Sequence, residues 1–170
     1  MGLKIEDRIA FGGGCHWCTE AVFQSLKGVS LVEQGYIAST GDAASFSEAV
    51  IVHFNSLEIS EAVLLEIHLH THKSTSNHSR RETYRSAVYV FSEDQNARFS
   101  NLLNGFQKDF NYSLITKVYP FQEFKSSRDA IKNYYLQNPK KPFCQLYIVP
   151  KLTLLLERYA VYVNESSKSN

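Results

Sequence analysis

Hydrophobic residues recur along the chain with two alternating periods, one typical of strands and the other of amphipathic helices. Short apolar runs at 8–11, 29–36 and 49–54 predict three strands. Apolar residues three to four positions apart predict a helix over 15–27 and a second helix that starts after Ser60, a residue able to cap it. The first part of the chain therefore alternates strands with helices.

The same alternation continues downstream. A strand is predicted at 86–91, a helix at 93–110 and a further strand at 114–119, which a proline ends. Three more segments follow, namely a short helix at 130–136, a connector marked by Pro139 and Pro142, and a C-terminal helix at 151–162. Together these elements predict a two-layer α/β sandwich.

Composition narrows the class of protein. The chain has 170 residues, of which 44% are hydrophobic, and a formal charge of +1. We expect one domain over 1–163 with a sizeable core, and a disordered tail over 164–170. The chain shows no basic block of the kind that binds nucleic acid and no apolar signal or membrane segment. We therefore expect a monomer in a reducing, cytoplasmic compartment, with neither nucleic acid nor membrane as a partner.

Candidate chemistry lies at residues 12–18, which read GGGCHWC. Three glycines follow an apolar strand and precede a helix, so Cys15 is predicted at a helix start. The positive end of a helix dipole favours the anionic sulfur there, which predicts a thiol pKa below the usual value of about 8.5. Cys18 lies one turn further along the same helix.

The Cys-x-x-Cys spacing is compatible with three kinds of site. A second cysteine one turn away can resolve an attacked or oxidised first cysteine, which favours redox chemistry. Both residues could instead be small core side chains. A structural zinc site needs four ligands. Cys144 is the only other cysteine, so histidines would have to supply the rest, and zinc is the least favoured interpretation.

A run of alternating histidines, His68, His70 and His72, raises the question of a metal. On a strand the three side chains would share a face, but the apolar stripe before them favours a helix, on which this spacing scatters them. We therefore expect a solvated helix end and no metal site.

Longer segments resemble one known family. AFGGGCHWCTEAVFQSLKGV closely resembles the active-site segment of peptide methionine sulfoxide reductase A, which usually reads GCFW and continues with a glutamate and an aromatic-rich helix. SEAVIVHF, followed by ISEAVLLEIHLHTH, is similar to the strand that carries the family's glutamate and to the helix after it. YRSAVYVF resembles its YRSAIY strand. The resemblance spans most of residues 9–136, in the family's order.

The resemblance implies an α+β fold, a two-layer α/β sandwich with a mixed sheet and a ferredoxin-like core. It also implies reduction of the S epimer of methionine sulfoxide, free or in proteins. Cys15 matches the nucleophile and Glu48 matches the acid that protonates the leaving oxygen. Tyr84 matches a tyrosine that orients this oxygen, and Trp17 matches the aromatic residue that contacts the methyl group of the substrate.

Some positions depart from the family pattern. His16 replaces a phenylalanine that helps to enclose the substrate methyl group, so we expect a more polar binding pocket. The loop before Glu48 is shorter and lacks a family tyrosine, and Ser79 or a neighbour stands where the family has an aspartate. The hydrogen-bond network around the sulfoxide oxygen is therefore expected to differ in detail.

Two candidates remain for the resolving thiol. The family places this cysteine in a C-terminal stretch, which favours Cys144, whereas Cys18 is nearer in sequence and suitably spaced. A relay through both is a third arrangement. The resemblance implies thioredoxin as the reductant of the final disulfide, and the reaction needs no bound cofactor.

Two other functions fit parts of the pattern. A general thiol-disulfide oxidoreductase would use Cys15 and Cys18 but would not need Glu48. A non-catalytic relative that binds oxidised or apolar peptides would not need Cys15, Glu48 and Tyr84 together.

Overall fold

The structure, a computed structural model, describes residues 6–168. Its first six elements follow the order strand, helix, strand, strand, helix, strand. They are β1 (Asp7–Gly12), α1 (His16–Gln24), β2 (Val29–Ala38), β3 (Ser47–Phe54), α2 (Glu61–His70) and β4 (Ala87–Val90). This is the order of a ferredoxin-like unit, and it confirms the fold class expected from the resemblance.

The remaining elements extend the sheet and then cover the helical layer. They are α3 (Glu93–Phe106), β5 (Lys117–Pro120), β6 (Glu123–Ser126), α4 (Tyr134–Gln137), a π-helical segment (Cys144–Ile148), α5 (Val149–Arg158) and α6 (Glu165–Lys168). None of the helices within 6–168 has both the length and the apolar character needed to cross a bilayer.

The six strands form one sheet in the order β5-β4-β1-β3-β2-β6. Neighbouring strands are antiparallel except for β4 and β5, which are parallel, so the sheet is mixed. Gly12 at the end of β1 lies opposite Ala49 of β3 and Ala87 of β4. The loop that follows β1 therefore lies at the same end of the strands as the residues just before Ala49 and Ala87.

The alternation of side chains along β1 separates the two faces of the sheet. Ile9 and Phe11 enter the main core beneath the helices, whereas Ala10 faces a smaller cluster on the other side. Phe11 stacks on Phe23 of α1 with ring centroids 4.8 Å apart, and both side chains are fully buried. Burial of this kind contributes about 1.5–3 kcal/mol for each side chain, and it fixes α1 on the sheet.

Two serine caps begin the longer helices, and the one at Ser60 is predicted from the sequence. The Ser60 hydroxyl accepts the Val63 N–H at 3.1 Å, and the Ser92 hydroxyl accepts the Gln95 N–H at the same distance. Each cap satisfies a backbone donor that the first turn of a helix leaves unpaired.

The C-terminal region differs most from the sequence-based expectations. The pattern does not predict β6, a four-residue edge strand whose side chains are mostly exposed. The helix expected at 151–162 begins earlier, with the π-helical segment, and ends at Arg158. Residues 165–168 of the expected tail form a short helix because Asn164 binds back to Ser25 and accepts the Ser167 N–H. The last two residues of that tail lie outside the described part of the chain.

The expected solvated end of α2 is wrong, because His68 in its last turn and His72 just beyond it are enclosed by the protein. His68 is buried and donates from Nε2 to the Gly12 carbonyl at 2.9 Å, while His70 stacks on Phe110. The His72 ring stacks on His68 at 4.2 Å and contacts the Ser86 hydroxyl at 2.7 Å. Within 6–168, no three His, Cys, Asp or Glu side chains are grouped as a metal site requires.

Burial of these histidines predicts how stability depends on pH. Desolvation lowers the pKa of His68 well below its usual value and that of His72 to about 3. Below about pH 6.5 the unfolded chain therefore binds more protons than the folded chain, and stability falls as the pH drops toward 3. Each histidine contributes a slope of up to about 1.4 kcal/mol per pH unit.

We expect His72→Gln to reduce the loss of unfolding free energy between pH 7.5 and pH 5, as measured by urea denaturation. The exposed His78 provides a control, and His78→Gln should change the slope much less than His72→Gln does. A wild-type slope in His72→Gln would contradict the assignment of acid sensitivity to the buried ring.

Candidate active site

The loop between β1 and α1 is packed too closely for side chains at two of its three glycines. A Cβ atom on Gly12 would lie 2.9 Å from the Arg85 carbonyl oxygen, and one on Gly13 would lie 2.4 Å from the His72 ring. Neither glycine has a positive φ, so the run is required for close approach and not for a left-handed backbone. The loop therefore rests directly on the polar groups beneath it.

Arg81 fixes this loop from the side. Its guanidinium donates to the Gly13 carbonyl at 2.8 Å, the Tyr84 carbonyl at 2.9 Å and the Ser76 carbonyl at 2.9 Å, and it also binds the Lys73 carbonyl. A single side chain thus joins the nucleophile loop to the segment after α2 and to Tyr84. Five guanidinium donors in a fixed plane suit this bridging role.

Cys15 is the N-cap residue of α1, and Cys18 lies in the first turn, as predicted. Both thiols are free, and they form a hydrogen-bonded pair. The hydrogen bond to Cys18, together with burial, raises the pKa of the Cys15 thiol, so the predicted lowering at Cys15 is wrong for the reduced pair. The same hydrogen bond lowers the pKa of Cys18, and the Lys151 ammonium lowers it further.

The third cysteine lies in the same cluster. Cys144 is fully buried in the first turn of the π-helical segment and packs with Cys18, Ala21 and Ile148, and Cys15 lies at the edge of this cluster. Burial raises the pKa of the Cys144 thiol. All three cysteines are therefore gathered at the N-terminal end of α1.

Glu48 faces this helix end from β3. Its Oε1 accepts the backbone N–H of His16 at 3.1 Å and lies 3.4 Å from the Nε2 atom of the same residue. A carboxylate at a helix N-terminus is stabilised by the unpaired N–H groups and the helix dipole. The predicted acid thus lies next to the predicted nucleophile, 33 positions apart in sequence.

Tyr84 lies beside Glu48 because the segment before β4 is bound to the start of β3. The Ser47 hydroxyl donates to the Thr83 carbonyl at 2.9 Å and accepts the Arg85 N–H at 2.8 Å, and the Glu48 N–H also donates to Thr83. Burial raises the pKa of the Tyr84 phenol, and the negative charge of Glu48 raises it further. The hydroxyl therefore remains a donor at neutral pH.

Trp17 points toward the C-terminal segment. Its indole stacks on Tyr134 with ring centroids 4.0 Å apart and meets the edge of Phe143 at 5.2 Å. Glu20 holds this contact, because its carboxylate accepts the Asn133 and Tyr134 backbone N–H groups at 2.9 and 3.2 Å. Burial raises the pKa of Glu20.

The structure thus brings the predicted residues to one end of the sheet. Cys15, Cys18, His16, Glu48 and Tyr84 surround the start of α1, and the C-terminal segment adds Trp17's partners and the third cysteine.

Sequence reasoning missed Arg81, Glu20 and Lys151. Arg81 and Lys151 are far apart in sequence, and neither belongs to a motif that indicates a function. Glu20 lies in the matched family segment, but its role appears only when its backbone partners from α4 are known.

Comparison with known proteins extends this picture. A family model described as peptide methionine sulfoxide reductase matches residues 7–161. Peptide methionine sulfoxide reductase MsrA from Deinococcus radiodurans is 34% identical over 170 residues, which cover 91% of this chain and 82% of the relative.

Solved structures share the fold. Mxr1 from Saccharomyces cerevisiae in reduced form has a TM-score of 0.72 at 19% identity, over 82% of this chain and 89% of Mxr1. Mxr1 in complex with Trx2 has a TM-score of 0.60 at 18% identity, over 76% of this chain and 84% of Mxr1.

The family model spans nearly all of the described chain, including the cysteine loop, the β3 glutamate and the YRS segment that the fold brings together. The chain accordingly belongs to the peptide methionine sulfoxide reductase family, and it is an oxidoreductase that reduces methionine sulfoxide with its thiols.

Proposed function

We propose that Cys15, Glu48 and Tyr84 carry the reduction of the S epimer of methionine sulfoxide, free or in proteins. The observation that carries this proposal is the 3.1 Å hydrogen bond from the His16 N–H to Glu48 Oε1, which holds the carboxyl group next to the nucleophile. A general acid must lie within reach of the atom that it protonates, and the attacked sulfoxide would lie between these two groups.

In the first step Cys15 attacks the sulfoxide sulfur. The thiol proton passes to the Cys18 sulfur, which has the lower pKa and already accepts a hydrogen bond from Cys15. Glu48 gives a proton to the sulfoxide oxygen. The bond between the substrate's sulfur and oxygen and the new bond between that sulfur and Cys15 both break as the oxygen moves to the Cys15 sulfur, which leaves methionine and a Cys15 sulfenic acid. The substrate sulfur gains two electrons and the Cys15 sulfur loses two.

Tyr84 and Trp17 would position the substrate. Tyr84 keeps its phenolic proton because its pKa is raised, so it can donate to the sulfoxide oxygen without competing as a base. Trp17 offers an aromatic face beside the nucleophile, and sulfur next to an aromatic ring contributes about 0.3–1.5 kcal/mol. His16 supplies a polar wall where the family has a phenylalanine.

A relay of thiols would restore Cys15. The Cys18 sulfur attacks the Cys15 sulfenic acid, and water leaves as the Cys15–Cys18 disulfide forms. A lowered pKa supports Cys18 in this role, since the thiolate is the attacking form. Cys144, which packs on Cys18, then attacks the Cys18 sulfur and releases the Cys15 thiol.

We assign the final reduction to a thioredoxin and the protein to the cytoplasm. The complex of Mxr1 with Trx2 supports a partner of this class. The three free thiols support a reducing compartment, where cysteines of this kind stay reduced between turnovers.

We expect the purified protein, driven by dithiothreitol, to reduce the S but not the R sulfoxide of a blocked methionine. Cys15→Ser should abolish the activity, because a serine hydroxyl cannot take the sulfoxide oxygen and form a sulfenic acid. Glu48→Gln should lower kcat by about 100-fold or more, the usual contribution of a general acid. Chiral chromatography of the remaining sulfoxide measures both effects.

Glu33→Gln serves as the matched control, since Glu33 pairs with His53 on the sheet, away from the cysteines. It should leave the rate within about twofold of wild type. A fully active Cys15→Ser protein would overturn the assignment of the nucleophile.

The relay predicts different outcomes for the two remaining cysteines. Cys18→Ser should release one methionine per enzyme but lose turnover with thioredoxin, because in this relay Cys144 attacks the Cys18 sulfur and not the Cys15 sulfenic acid. In Cys144→Ser the Cys15–Cys18 disulfide should accumulate after one turnover, as seen by peptide mass mapping. A Cys15–Cys144 disulfide as the first product in the wild-type protein would contradict this order.

A further inference from the structure

The side chain of His16, in the cysteine motif, contacts the acid. The residue is 3% exposed, and its imidazole contacts β2 at Gly35 and β3 at Glu48. Nδ1 is 2.9 Å from the Gly35 carbonyl oxygen, and Nε2 is 3.4 Å from Glu48 Oε1. The ring also packs on Tyr36 with centroids 5.1 Å apart.

The Gly35 contact determines which nitrogen of the ring carries a proton. A carbonyl oxygen only accepts, so Nδ1 must be the N–H donor to Gly35 in every protonation state that keeps this bond. Nε2 then faces Glu48 Oε1 either as a lone pair or as an N–H. A lone pair facing an ionised carboxylate is unfavourable, because neither group can donate to the other.

We propose that His16 and Glu48 hold one proton between them, and that His16 is a positioning residue which keeps the catalytic carboxyl group supplied with it. In one form the Glu48 carboxyl donates to Nε2. In the other the imidazolium Nε2–H donates to the carboxylate. This inference rests on the proposed function only for its consequence in catalysis.

Other charged or titratable groups around the ring do not replace Glu48. Glu20, on the same helix, has its carboxylate occupied by backbone N–H groups at Asn133 and Tyr134 and by Gln34. From the sheet, Tyr36 contacts the ring, and Lys125 on β6 lies opposite Tyr36 in register. Within the described chain, Glu48 is the carboxylate in ion-pair distance of this imidazole. Cys15 and Tyr84 both lie near Glu48.

The couple completes the proton balance of the first step. Glu48 gives the shared proton to the sulfoxide oxygen, and in the imidazolium form this proton first moves from Nε2 to the carboxylate. The couple is then left without a proton and takes one from solvent before the next turnover. The proton that Cys15 lost to Cys18 later leaves with the water formed when Cys18 attacks the sulfenic acid. No external oxidant or reductant enters this step.

A phenylalanine at this position would maintain the protonated acid in a different way, by making the carboxyl's surroundings apolar. In this chain His16 makes that side of the pocket polar. The proton that His16 shares with Glu48, and not apolar surroundings, keeps the carboxyl group protonated. The chain thus compensates for the residue that departs from the family pattern.

The decisive experiment compares pH profiles in the dithiothreitol assay. Glutamine at position 16 retains a hydrogen-bonding group facing Glu48 but cannot carry a proton. We expect His16→Gln to shift the alkaline decline of kcat/KM about one pH unit lower and to reduce kcat at pH 8 about tenfold, with KM within about twofold. His53→Gln is the control, since His53 pairs with Glu33 at 2.7 Å elsewhere on the sheet, and it should keep the wild-type profile.

A double-mutant cycle tests whether His16 acts through Glu48. In a Glu48→Gln background, His16→Gln should change kcat by less than twofold, whereas a merely structural role would lower the rate in both backgrounds. An equal loss in both backgrounds would overturn the proposal.

Nitrogen NMR of the resting protein tests the geometry without any turnover. With ¹⁵N-labelled histidine, the His16 ring should be protonated at Nδ1 in its neutral form. A neutral ring protonated at Nε2 would overturn the proposal. A ring protonated at Nδ1 in a protein that fails to reduce methionine sulfoxide would refute the proposed function and leave the proton sharing intact.

Discussion

The contact between Glu48 and the first turn of α1 is the interaction on which the rest of the site depends. It joins an acid on β3 to a helix that begins at the nucleophile. The antiparallel register of β1 with β3 creates it, because Gly12 lies opposite Ala49 and the next residue back along β3 is Glu48. A register shift of one residue would turn the carboxyl group to the other face of the sheet.

Buried polar groups under the glycine loop hold the nucleophile in place. His68 binds the Gly12 carbonyl, His72 occupies the space that a side chain on Gly13 would need, and Arg81 binds the Gly13 carbonyl from the side. A loop without regular structure has backbone groups that must be satisfied elsewhere, and these side chains satisfy them. The same burial makes the folded state sensitive to acid. Both rings stay neutral in the folded protein, whereas they bind protons in the unfolded chain.

The three cysteines form a second unit, which depends on the C-terminal segment. Glu20 binds the backbone at the start of α4, Trp17 stacks on Tyr134, and the π-helical segment brings Cys144 onto Cys18. π-helical turns are frequent at functional sites because they shift a residue relative to a regular helix. The oxidised sulfur of Cys15 therefore has thiol neighbours on its own helix and on the segment that covers it.

The sequence predicts the parts of this site that depend on local pattern. Strands β1 to β4 and helices α1 to α3 have clear periodicity or serine caps, and the family segments locate Cys15, Glu48 and Tyr84. It does not predict what depends on long-range packing. β6 is a short exposed edge strand that pairs with β2, and His68 of α2 is a polar residue whose burial follows from the loop above it.

The pKa of Cys15 shows the same limit. A helix N-terminus favours a thiolate, but the hydrogen bond with Cys18 and the Lys151 charge from α5 place the lower pKa on Cys18. Whether one partner of a thiol pair gains or loses the proton depends on groups that the motif does not contain.

The most direct test of the central claim, that Cys15 takes the sulfoxide oxygen, is to trap the product of that step. In the Cys18→Ser, Cys144→Ser double variant, Cys15 is the only thiol left. One turnover with methionine S-sulfoxide and dimedone should give one methionine and one dimedone adduct on Cys15 per protein, as measured by mass spectrometry. Methionine formed without an adduct on Cys15 would contradict the account.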